Sequence, residues 1–244
     1  MRQIKGLLVL VFCFLFSIAG HSTINIGTLP YDPPYIISPH EGFDIDLSRM
    51  LCQRLKEQCN IIPMGAKQIY QELKNGKIDI AIAGITISPE LQKEFIFSLP
   101  YMFSQGQFLT LKGSSINSIN DLNGTTVGVI IDSLSGRVFY NYLIKNHPDQ
   151  FRIKSYESVE NMFAALSNKT IAAVFLYRSD VNYWNHNGGN MFKPLGPVVT
   201  LGEGLAIMAL PEKQELIEKI NGVLDEMEQD DTYLDLYKTY FSNQ

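Results

Sequence analysis

The residue types that most often do chemistry are spaced too loosely in this chain to form a catalytic motif. The Ser133-Leu134-Ser135 segment has no histidine nearby in sequence that could act as the base for a nucleophilic serine. Gly202-Glu203-Gly204 precedes a predicted strand, whereas a phosphate-binding loop precedes a helix. The four histidines lack the spacing of metal ligands: His21, His40, His147 and His186. The sequence therefore predicts no catalytic residue, no metal and no cofactor.

The N-terminal segment has the pattern of a secretory signal peptide. Arg2 and Lys5 precede an apolar run over residues 6–18, and small residues follow that run. The run is too short for a membrane-spanning helix, which needs about 20 apolar residues. We therefore expect residues 1–22 to be removed on export.

Export changes what is expected of the cysteines. Removal of Cys13 leaves Cys52 and Cys59 in an oxidising compartment, where a pair of cysteines is expected to form a disulfide. In one continuous helix these two residues would lie about 10 Å apart along the axis, which is too far for a disulfide. The helix that begins at Phe43 must then end between them, near Glu57. The alternative is that both side chains are small, unbridged hydrophobic groups.

The composition describes a globular, acidic chain. Of its 244 residues, 45% are hydrophobic and 18% are charged, which excludes a disordered or collagen-like protein. The length fits one large domain or two lobes of roughly 100–120 residues each. The formal net charge is -5, and no basic stripe is present that could follow a phosphate backbone. Nucleic acid is therefore not an expected partner.

Strands and helices are predicted to alternate along the mature chain. Apolar runs predict strands at residues 23–28, 78–83, 108–111, 127–131, 171–176 and 204–210. Periodicity and capping residues predict helices at 43–58, 68–75, from 88 onwards, 133–145, 159–166, 212–228 and 233–240. Asp44 and Asp46 lie in the first turn of the first helix, where negative charge suits the helix dipole. The pattern predicts an α/β fold with largely parallel sheets.

Short motifs occur in a fixed order through the whole mature chain. They are Ile26-Gly27-Thr28 with Pro34-Tyr35, GFDIDL at 42–47, LKNGKID at 73–79, AGITISPE at 83–90, FSLPY at 97–101, Val127-Gly128-Val129 and Asp231-Thr232-Tyr233. In this order and spacing they resemble the type 2 periplasmic solute-binding proteins of the polar amino-acid group, which serve lysine, arginine, ornithine, glutamine or histidine uptake. Cys52 and Cys59 also fall where some basic amino-acid binders of that family carry a disulfide.

The resemblance implies two α/β lobes joined by two crossover strands, which close by a hinge motion over a ligand in the cleft between them. On this basis we expect lobe one to comprise residues 23–105 and 204–244, and lobe two residues 106–203. The resemblance also implies that the protein is a monomer and is not an enzyme. It would capture a small polar, amino-acid-like solute. Its closed form would be recognised by a membrane ABC permease.

Several positions implied to contact the ligand depart from the family pattern. Leu91 stands where the family has an arginine that clamps the ligand carboxylate. Tyr177 stands where it has an aspartate for the ligand ammonium. Three further positions have lost an acid, a stacking ring and a hydroxyl, respectively: Leu29, Ala66 and Leu134. The candidate ligand-binding residues are Asp32, Tyr35, Gly84, Thr86, Leu91, Ser133 and Tyr177.

Two new charges lie beside the family positions. Asp132 precedes a predicted helix and has a plainer explanation as a helix N-cap or loop acid. Arg178 could replace the missing arginine clamp, although an exposed surface arginine is the simpler interpretation.

The loss of both charged contacts leaves alternatives to solute transport. A carboxylate buried in a closed cleft without a cationic partner costs several kcal/mol. One alternative is therefore a sensor or protein-interaction module whose cleft has decayed. Another is a secreted enzyme on the same fold, similar to cyclohexadienyl dehydratases, although Leu91 removes the obvious cation for its acidic substrate as well. The whole set of motifs favours solute capture for an ABC importer.

Overall fold

The structure is a computed structural model that describes residues 23–130, 134 and 137–241. The predicted signal peptide, Asp132 and Ser133 lie outside the described residues. The strands are β1 Thr23–Thr28, β2 Gln58–Pro63, β3 Ile80–Ala81, β4 Ile96–Phe97, β5 Gln105–Leu111, β6 Thr126–Ile130, β7 Arg152–Tyr156, β8 Ala173–Tyr177, β9 Phe192–Thr200 and β10 Met208–Ala209. The helices are α1 Phe43–Leu55, α2 Ala66–Lys74, α3 Val138–Asn146, α4 Val159–Ser167, α5 Arg178–Asn187, α6 Gln214–Gln229 and α7 Thr232–Phe241.

The strands form two separate five-stranded sheets, and each sheet is covered by helices. The first sheet has the order β2-β1-β3-β10-β4, and the second has the order β7-β6-β8-β5-β9. The chain passes from the first sheet to the second between β4 and β5, and it returns between β9 and β10. The two crossings touch, because Leu205 forms isolated bridges with both Thr86 and Met102. The expected α/β fold of two lobes joined by two crossover segments is therefore confirmed.

The prediction of largely parallel sheets was wrong. Four of the eight strand pairs among the described residues are antiparallel. In the first sheet β10 runs antiparallel to β3 and β4, and in the second sheet β5 runs antiparallel to β8 and β9. The βαβ units account only for the parallel pairs of β1 with β2 and β3, and of β6 with β7 and β8. The strand that follows each crossover, β5 or β10, runs antiparallel to both of its neighbours.

The first helix ends where the cysteine pair requires. Helix α1 stops at Leu55, and Lys56 turns the chain with a left-handed backbone (φ 57°). Strand β2 then begins at Gln58, which brings the Cys52 and Cys59 Cα atoms within 6.1 Å in a disulfide. The prediction that the helix ends between the two cysteines, near Glu57, and that the cysteines are bonded is confirmed.

Three predicted elements are much shorter than their sequence patterns suggest, and one of them is the strand predicted at 204–210, of which only Met208–Ala209 pairs as a strand. Only Ile80–Ala81 of the apolar run 78–83 pairs as a strand, and the rest of that run forms a buried loop. The helix predicted after Ser88 is a single 3-10 turn over Leu91–Lys93. Phe95, two residues after that turn ends, is buried in the core of lobe one, so the chain bends inwards. None of the helices in the described part of the chain has the length and apolarity needed to cross a membrane.

Candidate functional site

The candidate site lies where the loops of lobe one meet the end of a strand in lobe two. Asp32 and Tyr35 follow β1, while Gly84 and Thr86 follow β3, which runs parallel to β1. Tyr177 is the last residue of β8 in lobe two. The carboxyl ends of parallel strands are where open α/β sheets place their ligand sites. The structure thus brings five of the seven candidate residues to one place between the lobes.

Gly84 shapes the floor of the site in lobe one. Its backbone is left-handed, with φ of +59°, a conformation that glycine adopts without steric cost. A methyl group at this position would lie 3.6 Å from the Tyr35 ring and 3.8 Å from Asp32 Oδ2. These distances place Asp32 and Tyr35 directly against the Gly84 backbone.

Asp44 holds this loop in place and is buried completely. The Gly84 N–H donates a hydrogen bond of 2.8 Å to Asp44 Oδ2. Burial disfavours the charged carboxylate and raises the pKa of Asp44 to about 7, although the bond from Gly84 opposes this shift. The first-turn position expected from the sequence is correct. The sequence did not predict the contact with Gly84, which is 40 residues away. The only signal for it in the sequence was an acid placed between two core residues.

Thr86 links both lobes and one crossover through its hydroxyl group. Its Oγ1 lies 2.5 Å from the Tyr177 hydroxyl and 3.0 Å from Ser104 Oγ in the first crossover. Thr86 is fully buried, and Tyr177 is only 6% exposed. Because a buried hydroxyl needs a hydrogen-bond partner, these three groups satisfy one another. Sequence patterns did not indicate Ser104.

Tyr35 makes the second bridge between the lobes. Its hydroxyl lies 2.5 Å from Ser179 Oγ, in the first turn of α5. Its ring meets the Tyr177 ring edge-on, with centroids 6.3 Å apart. Burial, and next the nearby Asp180, raise the pKa of Tyr35 well above its usual value, so the phenol stays protonated. Ser179 was not identifiable from the sequence, because nothing local indicates a partner 144 residues away.

The positions implied by the resemblance to have lost polar groups pack against apolar neighbours. Leu91 is 6% exposed and Leu134 is 1% exposed, and both belong to one buried cluster with Ala83, Ile85 and Phe95. Leu134 comes from lobe two, whereas the other residues of this set come from lobe one. Two further altered positions pack at the edge of the same cluster: Leu29 and Ala66.

Arg178 pairs within lobe two. Its guanidinium donates a hydrogen bond to the Gln107 side chain within lobe two. It also lines a cavity of about 460 Å³ together with Phe103, Glu228 and Tyr237. The Arg178 guanidinium thus has a hydrogen-bond partner in its own lobe.

Cavities border the site on two sides. The 460 Å³ cavity is lined by Ser179 and by residues of α7, while a cavity of about 730 Å³ lies between Lys93 of lobe one and Lys145 of lobe two. Neither of these two cavities is lined by Thr86 or Tyr177. The hydroxyl cluster itself is packed between the lobes. Such groups can hydrogen-bond to a polar solute when the lobes separate.

Comparison with known proteins covers nearly the whole chain. Residues 24–243 match the bacterial extracellular solute-binding proteins, family 3. The ABC transporter arginine-binding protein 1 of Escherichia coli K12 is 29% identical over 96% of this chain and 97% of its own length. The histidine-binding periplasmic protein of Salmonella typhimurium LT2 is 28% identical over 99% of this chain and 97% of its own length.

A solved structure is similar to this chain as well. The crystal structure of an arginine 3rd transport system periplasmic binding protein from Legionella pneumophila has a TM-score of 0.82 and 35% identity, and the match covers 90% of this chain and 99% of that one. All three are named as binding proteins, in line with the expectation of a binding protein rather than an enzyme. The chain belongs to the bacterial extracellular solute-binding proteins, family 3.

Proposed function

We propose that this protein captures a small polar, amino-acid-like solute between its lobes and presents it to a membrane ABC importer. The observation that carries the proposal is that hydroxyl groups of both lobes, Thr86 and Tyr177, meet at one buried site in a chain of this family. The named relatives bind arginine or histidine, which suggests the solute class.

We propose that Asp32, Tyr35, Gly84, Thr86, Leu91, Ser133 and Tyr177 line the bound solute. The proximity of Asp32, Tyr35 and Gly84 to one another supports this set. Leu91 and Tyr177 replace the two charged contacts of the family, so the solute would be held by hydroxyl and backbone groups more than by ion pairs. Weaker and less charge-selective binding than in the arginine-binding relatives is the expected consequence.

The two lobes would comprise residues 23–105 with 204–244, and residues 106–203. The two chain crossings, between β4 and β5 and between β9 and β10, support these boundaries. A hinge motion at these crossings would open the site. Such a motion separates Thr86 from Tyr177 and Tyr35 from Ser179.

The proposal extends to location and partners. Relatives named as periplasmic proteins and the predicted signal peptide over residues 1–22 support export to the periplasm. There the protein would act as a monomer, without nucleic acid, and its closed form would dock on an ABC permease.

A thermal-shift screen tests the proposal. The exported, purified protein is heated with common amino acids, short peptides, polyamines and aromatic acids. A solute at a hundred times its dissociation constant adds about 2.7 kcal/mol to the free energy of unfolding, which raises the melting temperature visibly. We expect at least one amino-acid-like solute to do so.

Two variants localise the effect. Thr86→Val removes the central hydroxyl with little change in shape and should reduce the thermal shift. Thr28→Val is the matched control, since the Thr28 hydroxyl is buried, no described residue hydrogen-bonds to it, and it lies outside the proposed set. Equal thermal shifts in both variants would place the binding site elsewhere.

A further inference from the structure

The lobes are held together by side chains of the protein itself. The Thr86 hydroxyl of lobe one lies 2.5 Å from the Tyr177 hydroxyl of lobe two. The Tyr35 hydroxyl of lobe one lies 2.5 Å from Ser179 Oγ of lobe two. Both pairs lie at the candidate site, so the groups expected to meet a solute meet each other.

Apolar contacts reinforce these two bridges. Leu134 of lobe two is 1% exposed and belongs to a cluster made mostly of lobe-one residues, including Leu91 and Phe95. Conversely, Tyr31 of lobe one packs against a cluster of lobe two that contains Phe163. Each lobe thus contributes a side chain to the core of the other, on top of the hydroxyl pairs.

A polar cleft that closes without a ligand normally buries polar groups that have no hydrogen-bond partner. The free-energy cost of burying those groups keeps such a cleft open. Here the cost is avoided. Thr86 has both Tyr177 and Ser104 within hydrogen-bond distance, and Tyr35 has Ser179. The apolar side chains at positions 91 and 134 need no partner at all. Closure therefore leaves these named groups satisfied with no solute present.

We propose that Tyr177 takes the place of a ligand group between the lobes, so that the ligand-free protein populates the closed arrangement. A solute is then captured only after it displaces the Tyr177 phenol from Thr86, which makes Tyr177 a specificity-determining residue. This second step rests on the proposed function, whereas closure without ligand does not. The apparent affinity for solute is lowered in proportion to the fraction of molecules that are open and able to bind.

Spin labels on the two lobes measure closure directly. Lys93 and Lys145 are exposed and line the same interlobe cavity from opposite sides. The full chain is exported and carries Lys93→Cys and Lys145→Cys. It is then unfolded with its disulfide intact, dialysed to remove any bound solute, refolded and labelled. Pulsed electron paramagnetic resonance reports the distance between the labels.

The wild-type background should give the short distance of the closed structure without any solute. Tyr177→Phe keeps the ring but removes the hydroxyl, and should raise the ratio of open to closed molecules roughly fivefold, as expected for one lost hydrogen bond. Tyr35→Phe removes the other bridge and should act in the same direction. Tyr156→Phe is the matched control in lobe two, because its hydroxyl is buried and no residue in the described part of the chain hydrogen-bonds to it; this variant should stay closed.

A long distance in the solute-free wild-type background would overturn the proposal. It would also be overturned if Tyr177→Phe and Tyr35→Phe both gave the distance distribution of Tyr156→Phe. These outcomes are distinct from a failure of solute capture. If the protein is open when solute-free and closes on a solute, the proposed function stands and the closure proposal fails. If the protein is closed and no solute stabilises it, the proposed function fails.

Discussion

At the scale of single residues, Asp44 connects the first helix to the loop that forms the site. It is fully buried, and its carboxylate accepts the Gly84 N–H that orients the loop towards Thr86. Replacing this acid with alanine would leave the Gly84 N–H without its acceptor, at a cost of about 1–3 kcal/mol. Asparagine, in contrast, keeps an oxygen that can accept the bond.

The raised pKa of Asp44 predicts a pH dependence of stability. Burial raises this pKa from 3.8 to about 7 in the folded protein, so folding favours the protonated acid. The contribution of Asp44 to the free energy of unfolding is fully present below pH 3.8 and is lost as the pH rises through about 7. We expect Asp44→Asn to flatten this fall, measured by urea unfolding across that pH range.

Asp46→Asn is the control for this experiment. Asp46 lies in the same helical turn, but its side chain is 33% exposed and pairs with Arg49 at the surface. This variant should retain the wild-type fall in stability. The account of Asp44 is contradicted if Asp44→Asn and the wild type lose stability in parallel as the pH rises.

Residues of the site were predictable where a local motif marks them. Thr86 and Tyr35 were named from motif positions, and Tyr177 from the end of a predicted strand. Ser104 and Ser179 were not, because the partner of each is distant in sequence: Thr86 is 18 residues from Ser104, and Tyr35 is 144 residues from Ser179 and lies in the other lobe. Serines in loops are common, and nothing in their neighbours distinguishes these two.

At the scale of elements, the disulfide ties the end of α1 to β2. Cys52 and Cys59 are separated by seven residues in sequence, so the bond closes a short loop in the unfolded chain. Loop-closure entropy predicts that it stabilises the protein by about 2–3 kcal/mol. The Cys52→Ser, Cys59→Ser double variant should lose this amount in urea unfolding. The reduced wild type should match it, whereas unchanged stability in either would contradict a stabilising role.

The strands missed from the sequence share a physical cause. Four strands escaped prediction, namely β2, β4, β7 and β9, and all four lie at the edges of their sheets. Edge strands are partly exposed and lack a continuous apolar run, as the alternating exposure of β2 and β7 shows. Strand β9 also contains Pro194 and Pro197, which are tolerated at a sheet edge. Interior strands such as β1, β6 and β8 were predicted within a few residues.

Helices with one strongly apolar face were the most predictable elements. Helix α6 was expected at residues 212–228 and is found at Gln214–Gln229, and its buried face includes Ile217, Ile220 and Val223. Helix α5 was missed because Asn182, Asn187 and other polar residues obscure its apolar face. The packing of Trp184 on Phe163, with ring centroids 4.1 Å apart, stabilises this helix in lobe two.

At the scale of the whole molecule, function depends on how the two lobes meet. The order of motifs predicted two lobes, but composition and periodicity did not predict how closely they pack in this chain. Hydroxyl pairs between the lobes, and apolar side chains of one lobe that pack against the other, hold the two lobes together at the candidate site. Solute capture must therefore compete with contacts that the protein makes with itself.

Native mass spectrometry tests the central claim, solute capture, most directly. The exported protein is measured as purified and again after addition of the common amino acids at millimolar concentration. We predict a mass increase of one small molecule per chain, which is lost on denaturation and is reduced in Thr86→Val. If the protein carries no small molecule and gains none from the amino acids, while Thr86→Val behaves identically, the account of this chain as an amino-acid-binding protein is wrong.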